Sequence, residues 1–205
     1  MITFAGYTAV LLSAYLAGSV PSAYLVTRLI KGEDIRKIGS GNPGALNVFR
    51  HVGPRAGLAV LGIDAAKGAA VVLTIGALGL GHGAIFAGAL AVVVGHNWPV
   101  FLGFRGGKGA AAVFGISFAL LPLWTPLGIG LALAAGAATR SFIFGVGVGI
   151  VAINVATIAT SQGTDRLVLC LLLSVLIVAT HYAIAYRAVV ASVRQRGIWG
   201  LFEPE

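Results

Sequence analysis

The sequence has few charged residues and very few acidic ones. Of its 205 residues only 6 are aspartate or glutamate, and the charged fraction is 10%. A soluble domain usually carries about 25% charged residues, so this chain has too few to cover a surface that faces water. The apolar fraction is 58%, and several apolar runs approach the roughly 20 residues that span a bilayer.

Cysteine and clustered metal ligands are also scarce. Cys170 is the single cysteine and lies in an apolar run, so no disulfide can form within the chain. The 4 histidines are scattered, and neither they nor the carboxylates have the spacing of a metal site. The sequence therefore predicts no metal site and no cofactor.

The net charge of +8 comes from basic residues in short segments between apolar runs. They form no continuous basic face, which argues against a nucleic-acid partner and leaves membrane lipid as the expected surroundings. The first charged residue is Arg28, so the first apolar run lacks the basic start of a cleaved signal peptide. We interpret it as a retained span.

The apolar runs predict an all-α membrane bundle that fills residues 1–205 as one domain. Polar loops are expected at about 31–55 and 103–109, with a tail at 188–205. The first span is interrupted at Gly18–Ser22. The predicted spans are about Phe4 to Ile30, Ala56 to Leu80, Ala84 to Leu102, two short helices within Ala110 to Ala138, Phe142 to Thr160, and Leu167 to Tyr186.

The segment from Ala110 to Ala138 decides the topology. Pro122 and Pro126 disfavour one continuous helix, and two helices give seven spans with the N-terminus outside and the C-terminus in the cytoplasm. Only Arg166 then lies outside, as the positive-inside rule favours. The basic residues on the cytoplasmic side are Arg28, Lys31, Arg36, Lys37, Arg50, Arg55, Arg105, Lys108, Arg140, Arg187, Arg194 and Arg196.

Two polar, glycine-rich clusters fall on this side. The first runs from Gly39 to Arg50, where glycines let backbone N–H groups turn toward an anion. Ser40, Asn42 and Asn47 add neutral donors, and Arg50 adds a planar fork that fits phosphate.

The second cluster runs from Gly95 to Gly109 and includes His96 and Arg105. Its Gly106-Gly107-Lys108-Gly109 run precedes a helix, where free N–H groups and an ammonium favour a phosphate. It lacks the spacing of an ATP-binding phosphate loop.

Weaker candidates complete the set. Arg140 and Ser141 begin the sixth span, and His181 lies within the seventh, where a histidine is costly unless it is paired or faces a cavity. Asp64 and Lys67 share a face of the second span, and mutual neutralisation is the simplest reading of that pair.

These residues resemble the bacterial acyl-phosphate:glycerol-3-phosphate acyltransferases. Gly39-Ser-Gly-Asn-Pro-Gly-Ala-Leu-Asn-Val-Phe-Arg50 is similar to the first family motif, and Gly95-His with Phe104-Arg-Gly-Gly-Lys-Gly109 to the second. Asp34-Ile35-Arg36, Asp64 to Gly68 and Gly18 to Pro21 also fit, so the resemblance covers nearly the whole chain.

The resemblance implies a seven-span enzyme of the bacterial cytoplasmic (inner) membrane with a cytoplasmic active site. It would transfer a fatty acyl group from acyl phosphate to the 1-hydroxyl of glycerol 3-phosphate, giving lysophosphatidic acid. By position, Ser40, Arg50 and His181 are implied as catalytic residues. The expected phosphate-binding residues are Asn42, Asn47, His96, Arg105, Gly106, Gly107, Lys108, Arg140 and Ser141.

Two positions depart from the family pattern. The family usually has Thr at the position of Leu46 and Asn at that of Ile184, and its third-motif glutamate is not recognisable here. A diverged paralogue with weak or no activity is therefore one alternative, and a transporter of phosphorylated anions is another. Acyl-chain preference, the identity of the general base and the oligomeric state stay open, with a monomer as the simplest form.

Overall fold

The structure is a computed structural model that describes the backbone of residues 3–196, with side chains through 186 and at 190. Within those residues all regular secondary structure is helical, as predicted, and no strand is present. Short 3₁₀ turns occur at Ile35–Lys37 and Val100–Leu102. The α-helices are α1 Phe4–Ser19, α2 Ser22–Lys31, α3 Ala45–His51, α4 Pro54–Ala77, α5 His82–Asn97, α6 Ala110–Leu120, α7 Thr125–Thr139, α8 Phe142–Ala159 and α9 Thr164–Arg196.

The chain is a multi-pass membrane protein by the length and hydropathy of its helices. Five helical segments are long and apolar enough to cross a bilayer: Phe4–Lys31, Pro54–Ala77, His82–Leu102, Phe142–Ala159 and Thr164–Tyr186. Helices α6 and α7 are apolar but have only 11 and 15 residues. The described helices therefore establish five candidate spans and leave the predicted total of seven open.

Both predicted interruptions are confirmed, and proline is the physical cause at each. The first span divides into α1 and α2 around Pro21, which has no N–H group to continue the hydrogen-bond ladder. The segment after α6 breaks at Pro122, and α7 begins with Pro126 in its first turn. Proline is tolerated there because those N–H groups have no helical acceptor.

Glycine notches allow three helix pairs to pack with their backbones in contact. On α1 and α5, a β-carbon at Gly95 would overlap the carbonyl oxygen of Tyr15, and one at Gly18 would overlap that of Val92. Gly68 and Gly115 form the same reciprocal arrangement between α4 and α6, as Gly145 and Gly128 do between α8 and α7. Small residues at such crossings are typical of membrane helices.

The polar loops lie together at one end of the bundle. Arg36 in the segment 32–53 binds Leu102 in the segment 98–109, and we call this the loop end. The turns before α5 and α9 meet at the opposite end, where His82 contacts Asp165. The turn between α7 and α8 belongs to the loop end, because α8 leads from it to the segment 161–166 at the opposite end.

One sequence expectation needs correction. The segment 31–55 is not a plain loop, because it contains α3 and a 3₁₀ turn around a small apolar cluster centred on Ile35 and Val48, both 0% exposed. The last span, predicted to end near Tyr186, agrees with the apolar segment Thr164–Tyr186, and its helix continues to Arg196. Residues 197–205 of the predicted tail lie outside the described residues.

Candidate active site

Asn47 organises the first glycine-rich loop from within. Its side-chain Nδ2 donates to the carbonyl oxygens of Ile35 at 3.3 Å and Ile38 at 2.9 Å, and its Oδ1 accepts from the N–H of Ser40 at 3.2 Å. The side chain is buried. The amide that the sequence predicts as a phosphate ligand therefore has both N–H donors occupied by the loop backbone.

Ser40, Asn42 and Arg50 are differently placed. Gly39 and Gly41 adopt positive φ angles of 55° and 68°, and this left-handed turn, which favours glycine, leaves Ser40 on the exposed surface. The Oδ1 atom of Asn42 is buried with no partner in the described structure. Arg50 is exposed on the last turn of α3 and forms no salt bridge with any described side chain, so its guanidinium is available to an anion.

The second loop folds back onto the end of α5. The N–H of Gly106 donates to the carbonyl oxygen of Asn97 at 3.1 Å, and that of Gly107 to His96 at 3.2 Å. Two N–H groups expected to face an anion thus satisfy the last carbonyls of α5 instead. Among the described residues, the N–H groups of Lys108 and Gly109 have no hydrogen-bond acceptor, so they add to the unpaired N–H donors of the first turn of α6.

Lys108 is half-buried at the end of the second loop. This burial lowers the pKa of its ammonium group, because desolvation disfavours the charged form, and a bound anion would compensate for that cost. The Asn97 amide donates to Thr180 Oγ1 at 2.8 Å, which fixes α9 against the end of α5 one residue before His181.

Arg36 joins the two loops. Its guanidinium forms a salt bridge with Asp34, with Nη2 and Oδ2 2.7 Å apart, and its Nη1 donates to the carbonyl oxygen of Leu102 at 3.2 Å. The hydrogen bonds from Arg36 lower the pKa of the Asp34 carboxyl, so this pair stays charged at neutral pH. The first loop is thereby tied to the segment that leads into the second.

Asp64 is the centre of a buried polar network that the sequence analysis did not foresee. This carboxylate, 1% exposed, accepts from Ser22 Oγ at 2.6 Å and lies 2.9 Å from Lys67 Nζ and 3.5 Å from His96 Nδ1, all measured to Oδ1. The pairing with Lys67 agrees with their predicted shared face. The contacts with Ser22 and His96 join α4 to α2 and α5. The only sign of them in the sequence is the interruption of the first span next to Ser22.

Arg140 and Ser141 remain apart from this group. Ser141 caps α8 by accepting the N–H of Phe144 at 3.3 Å, and Arg140 is an exposed residue with a φ of 53°. In the described part of the chain no hydrogen bond or salt bridge connects either residue to the two loops. They share the loop end with Lys108, and their predicted phosphate contacts stay predictions.

The contact between Gly107 and His96 gives a local test of this geometry. A β-carbon at Gly107 would overlap the Nε2 atom of His96, so Gly107→Ala must displace either the loop or the imidazole. We expect this substitution to lower kcat/KM by roughly 100-fold, the usual cost of a misplacement of about 1 Å. Steady-state kinetics measure it, with Gly130→Ala, a helical site with open space, as the control that keeps normal rates.

The chain is similar in sequence to the members of one enzyme family. The family model described as glycerol-3-phosphate acyltransferase matches residues 8–189. Glycerol-3-phosphate acyltransferase of Rubrobacter xylanophilus is 53% identical over 121 residues, 58% of each chain. Glycerol-3-phosphate acyltransferase 5 of Dehalococcoides mccartyi is 44% identical over 119 residues, 58% of this chain and 51% of the relative. The aligned segment thus spans about half the length of such curated relatives.

Two crystal structures of PlsY, an integral membrane glycerol 3-phosphate acyltransferase, have similar folds. The glycerol 3-phosphate form has a TM-score of 0.80 at 28% identity, covering 90% of this chain and 92% of PlsY. The lysophosphatidic acid form has a TM-score of 0.79 at 25% identity, covering 96% and 99%. The likeness therefore extends over nearly the whole of both chains.

Proposed function

The chain belongs to the glycerol-3-phosphate acyltransferase family, and from that premise we propose that it transfers a fatty acyl group from acyl phosphate to the 1-hydroxyl of glycerol 3-phosphate. The two similar PlsY structures are a glycerol 3-phosphate form and a lysophosphatidic acid form, and these molecules would be the acceptor and the product of this reaction.

The observation that supports this most directly is the junction of the two loops. Arg36 ties the first loop to the segment before the second, and Asn97 at the end of α5 binds Thr180, the neighbour of His181 on α9. Two anionic substrates must meet for acyl transfer, so cations from several elements at one end of the bundle suit the reaction. The apolar helices that surround this end suit a substrate with a long acyl chain.

The chemistry needs no covalent enzyme intermediate, because acyl phosphate is already an activated mixed anhydride. The acceptor oxygen bonds to the acyl carbon, the bond from that carbon to the phosphate oxygen breaks, and phosphate departs with the electron pair. The hydroxyl proton passes to His181 or to the departing phosphate. Arg50 and Lys108 stabilise the developing negative charge, and holding both substrates together supplies much of the rate.

The remaining roles follow from the family motifs. Ser40 acts with Arg50 and His181 as a catalytic residue. The substrate phosphates are bound by Asn42, His96, Arg105, Lys108, Arg140 and Ser141. Asn47, Gly106 and Gly107, which the motifs also suggest as phosphate ligands, hold the two loops in shape through their hydrogen bonds. Neither a metal nor a cofactor takes part.

We assign the protein to the bacterial inner membrane with the loop end in the cytoplasm. Counting α6 and α7 as short spans gives seven crossings, with the N-terminus outside and the C-terminus inside. Short spans require local thinning of the bilayer or burial within the protein. The clustering of basic residues at the loop end supports this orientation.

The direct test is acylation by the purified, detergent-solubilised protein. Labelled glycerol 3-phosphate is incubated with palmitoyl phosphate or with palmitoyl-CoA, and the lipid product is measured. We expect lysophosphatidic acid from the phosphate donor alone, which would also show that Leu46 and Ile184 are compatible with turnover.

Absence of product from both donors, in protein that remains folded, would contradict the proposed reaction. Binding of glycerol 3-phosphate without turnover would then indicate an inactive paralogue. Uptake of glycerol 3-phosphate into proteoliposomes would indicate a transporter instead.

A further inference from the structure

The Asp64–Lys67 pair forms hydrogen bonds to both sides of the break between α1 and α2. Lys67 Nζ donates to the carbonyl oxygens of Gly18 at 2.9 Å and Val20 at 3.2 Å, at the end of α1. Asp64 accepts from Ser22 Oγ at 2.6 Å, at the start of α2. The two charges therefore lie on opposite sides of one break.

Each charge has the sign that its helix end favours. The last carbonyls of α1 have no helical donor and form the negative end of its dipole, where the Lys67 ammonium lies. The start of α2 is the positive end of its dipole, where the Asp64 carboxylate lies. If Asp64 and Lys67 only neutralised each other, no break would be needed beside them. A continuous first helix would pair its own backbone groups in this region.

A buried ion pair within a membrane helix is costly and commonly marks a functional site. Here the break lines a cleft at the loop end. The same cleft is lined by Pro43 from the first loop, by Gly106 and Gly107 from the second, and by His96. His96 Nδ1 lies 3.5 Å from Asp64 Oδ1, and its carbonyl oxygen accepts the N–H of Gly107, so the pair is connected through His96 to the second loop.

We propose that Asp64 and Lys67 are positioning residues, which hold the break between α1 and α2 in place and thereby fix His96 and both glycine-rich loops in their working arrangement. This inference rests on the proposed acyl transfer for its kinetic consequence. Its structural consequence, a break that loosens when the pair is removed, stands independently of which reaction the protein catalyses.

The decisive variant replaces both charges at once. Asp64→Asn with Lys67→Met leaves no buried charge unpaired, so the protein should insert and purify like the wild type. If the pair positions the loops, kcat/KM for glycerol 3-phosphate should still fall by roughly 100-fold, as expected for a displaced site. Near-normal kinetics in this double variant would overturn the proposal, because mutual neutralisation would then be the whole role of the pair.

A matched control removes another ion pair. His82 Nδ1 and Asp165 Oδ2 are 2.9 Å apart at the opposite end of the bundle, where both side chains are exposed. The double variant His82→Asn with Asp165→Asn should keep wild-type kinetics. A comparable loss in this control would overturn the specific role assigned to the break.

Hydrogen–deuterium exchange of the same proteins, followed by mass spectrometry, gives a readout without substrate. The Asp64→Asn, Lys67→Met variant should exchange faster at residues 18–24 and 103–109, and at wild-type rates at 160–164. Unchanged exchange at the first two segments overturns the positioning role, whatever the activity. A wild-type protein that makes no lysophosphatidic acid would contradict the proposed reaction, while the exchange result would still decide the role of the pair.

Discussion

Replacing Lys108 by alanine is expected to lower kcat/KM for acyl transfer by roughly 100- to 1000-fold, the usual effect of removing one electrostatic contact to a transition state. The ammonium group is partly desolvated and forms no hydrogen bond to any described residue, so its removal breaks no contact that maintains the fold. The loss should therefore appear in turnover and not in the melting temperature.

Arg50→Ala should behave similarly, because its exposed guanidinium has no salt bridge among the described side chains. Lys37→Ala on the same loop and Arg166→Ala at the opposite end each remove one exposed cation and serve as controls with near-normal rates. Steady-state kinetics with labelled glycerol 3-phosphate separate the two classes. Near-normal rates in both Lys108→Ala and Arg50→Ala would sink the assignment of phosphate binding to these loops.

Widening the close crossing of α4 and α6 should lower the stability of the protein. A β-carbon at Gly115 would overlap the carbonyl oxygen of Ala65, which is backbone and cannot rotate away. We expect Gly115→Ala to destabilise the protein by about 1–3 kcal/mol or more, as for other overpacked sites. Activity should fall as well, because α4 carries Asp64 and α6 follows Lys108.

Gly62→Ala is the matched control on α4. Its β-carbon would meet no atom within 4 Å, and alanine favours a helix over glycine by up to about 1 kcal/mol. Thermal unfolding in detergent, read by size-exclusion chromatography, should show a lower midpoint for Gly115→Ala and an equal or higher one for Gly62→Ala. Equal midpoints for the two variants would contradict the close crossing.

The sequence predicted the helices and their interruptions well because those depend on local chemistry. Pro21, Pro122 and Pro126 act on their own turns of helix, and long apolar runs are visible without knowledge of the fold. The end of the last span at Tyr186 was predicted for the same reason, because hydropathy falls after that residue. The continuation of α9 to Arg196 was not, because a helix can extend beyond its apolar segment.

The interior of the site was not predictable in the same way. Nothing in the order of residues shows that Asn47 reaches back to Ile35 and Ile38, or that Asp64 meets His96 from another helix. The first set depends on how α3 packs against the 3₁₀ turn that precedes it, and the second on how α4 packs against α5. The glycines of the second loop illustrate the same limit, because their N–H groups were expected to face an anion and instead satisfy the end of α5.

The small apolar cluster under the first loop has a thermodynamic consequence for recognition. Ile35 and Val48 are fully buried against α2 and α4, so the segment between those helices is already ordered before a ligand arrives. Ordering a flexible segment on binding typically consumes about 2–5 kcal/mol of the interaction energy. Because the segment is already folded, most of that entropic cost is avoided. More of the interaction energy with a small, charged ligand then contributes to its affinity.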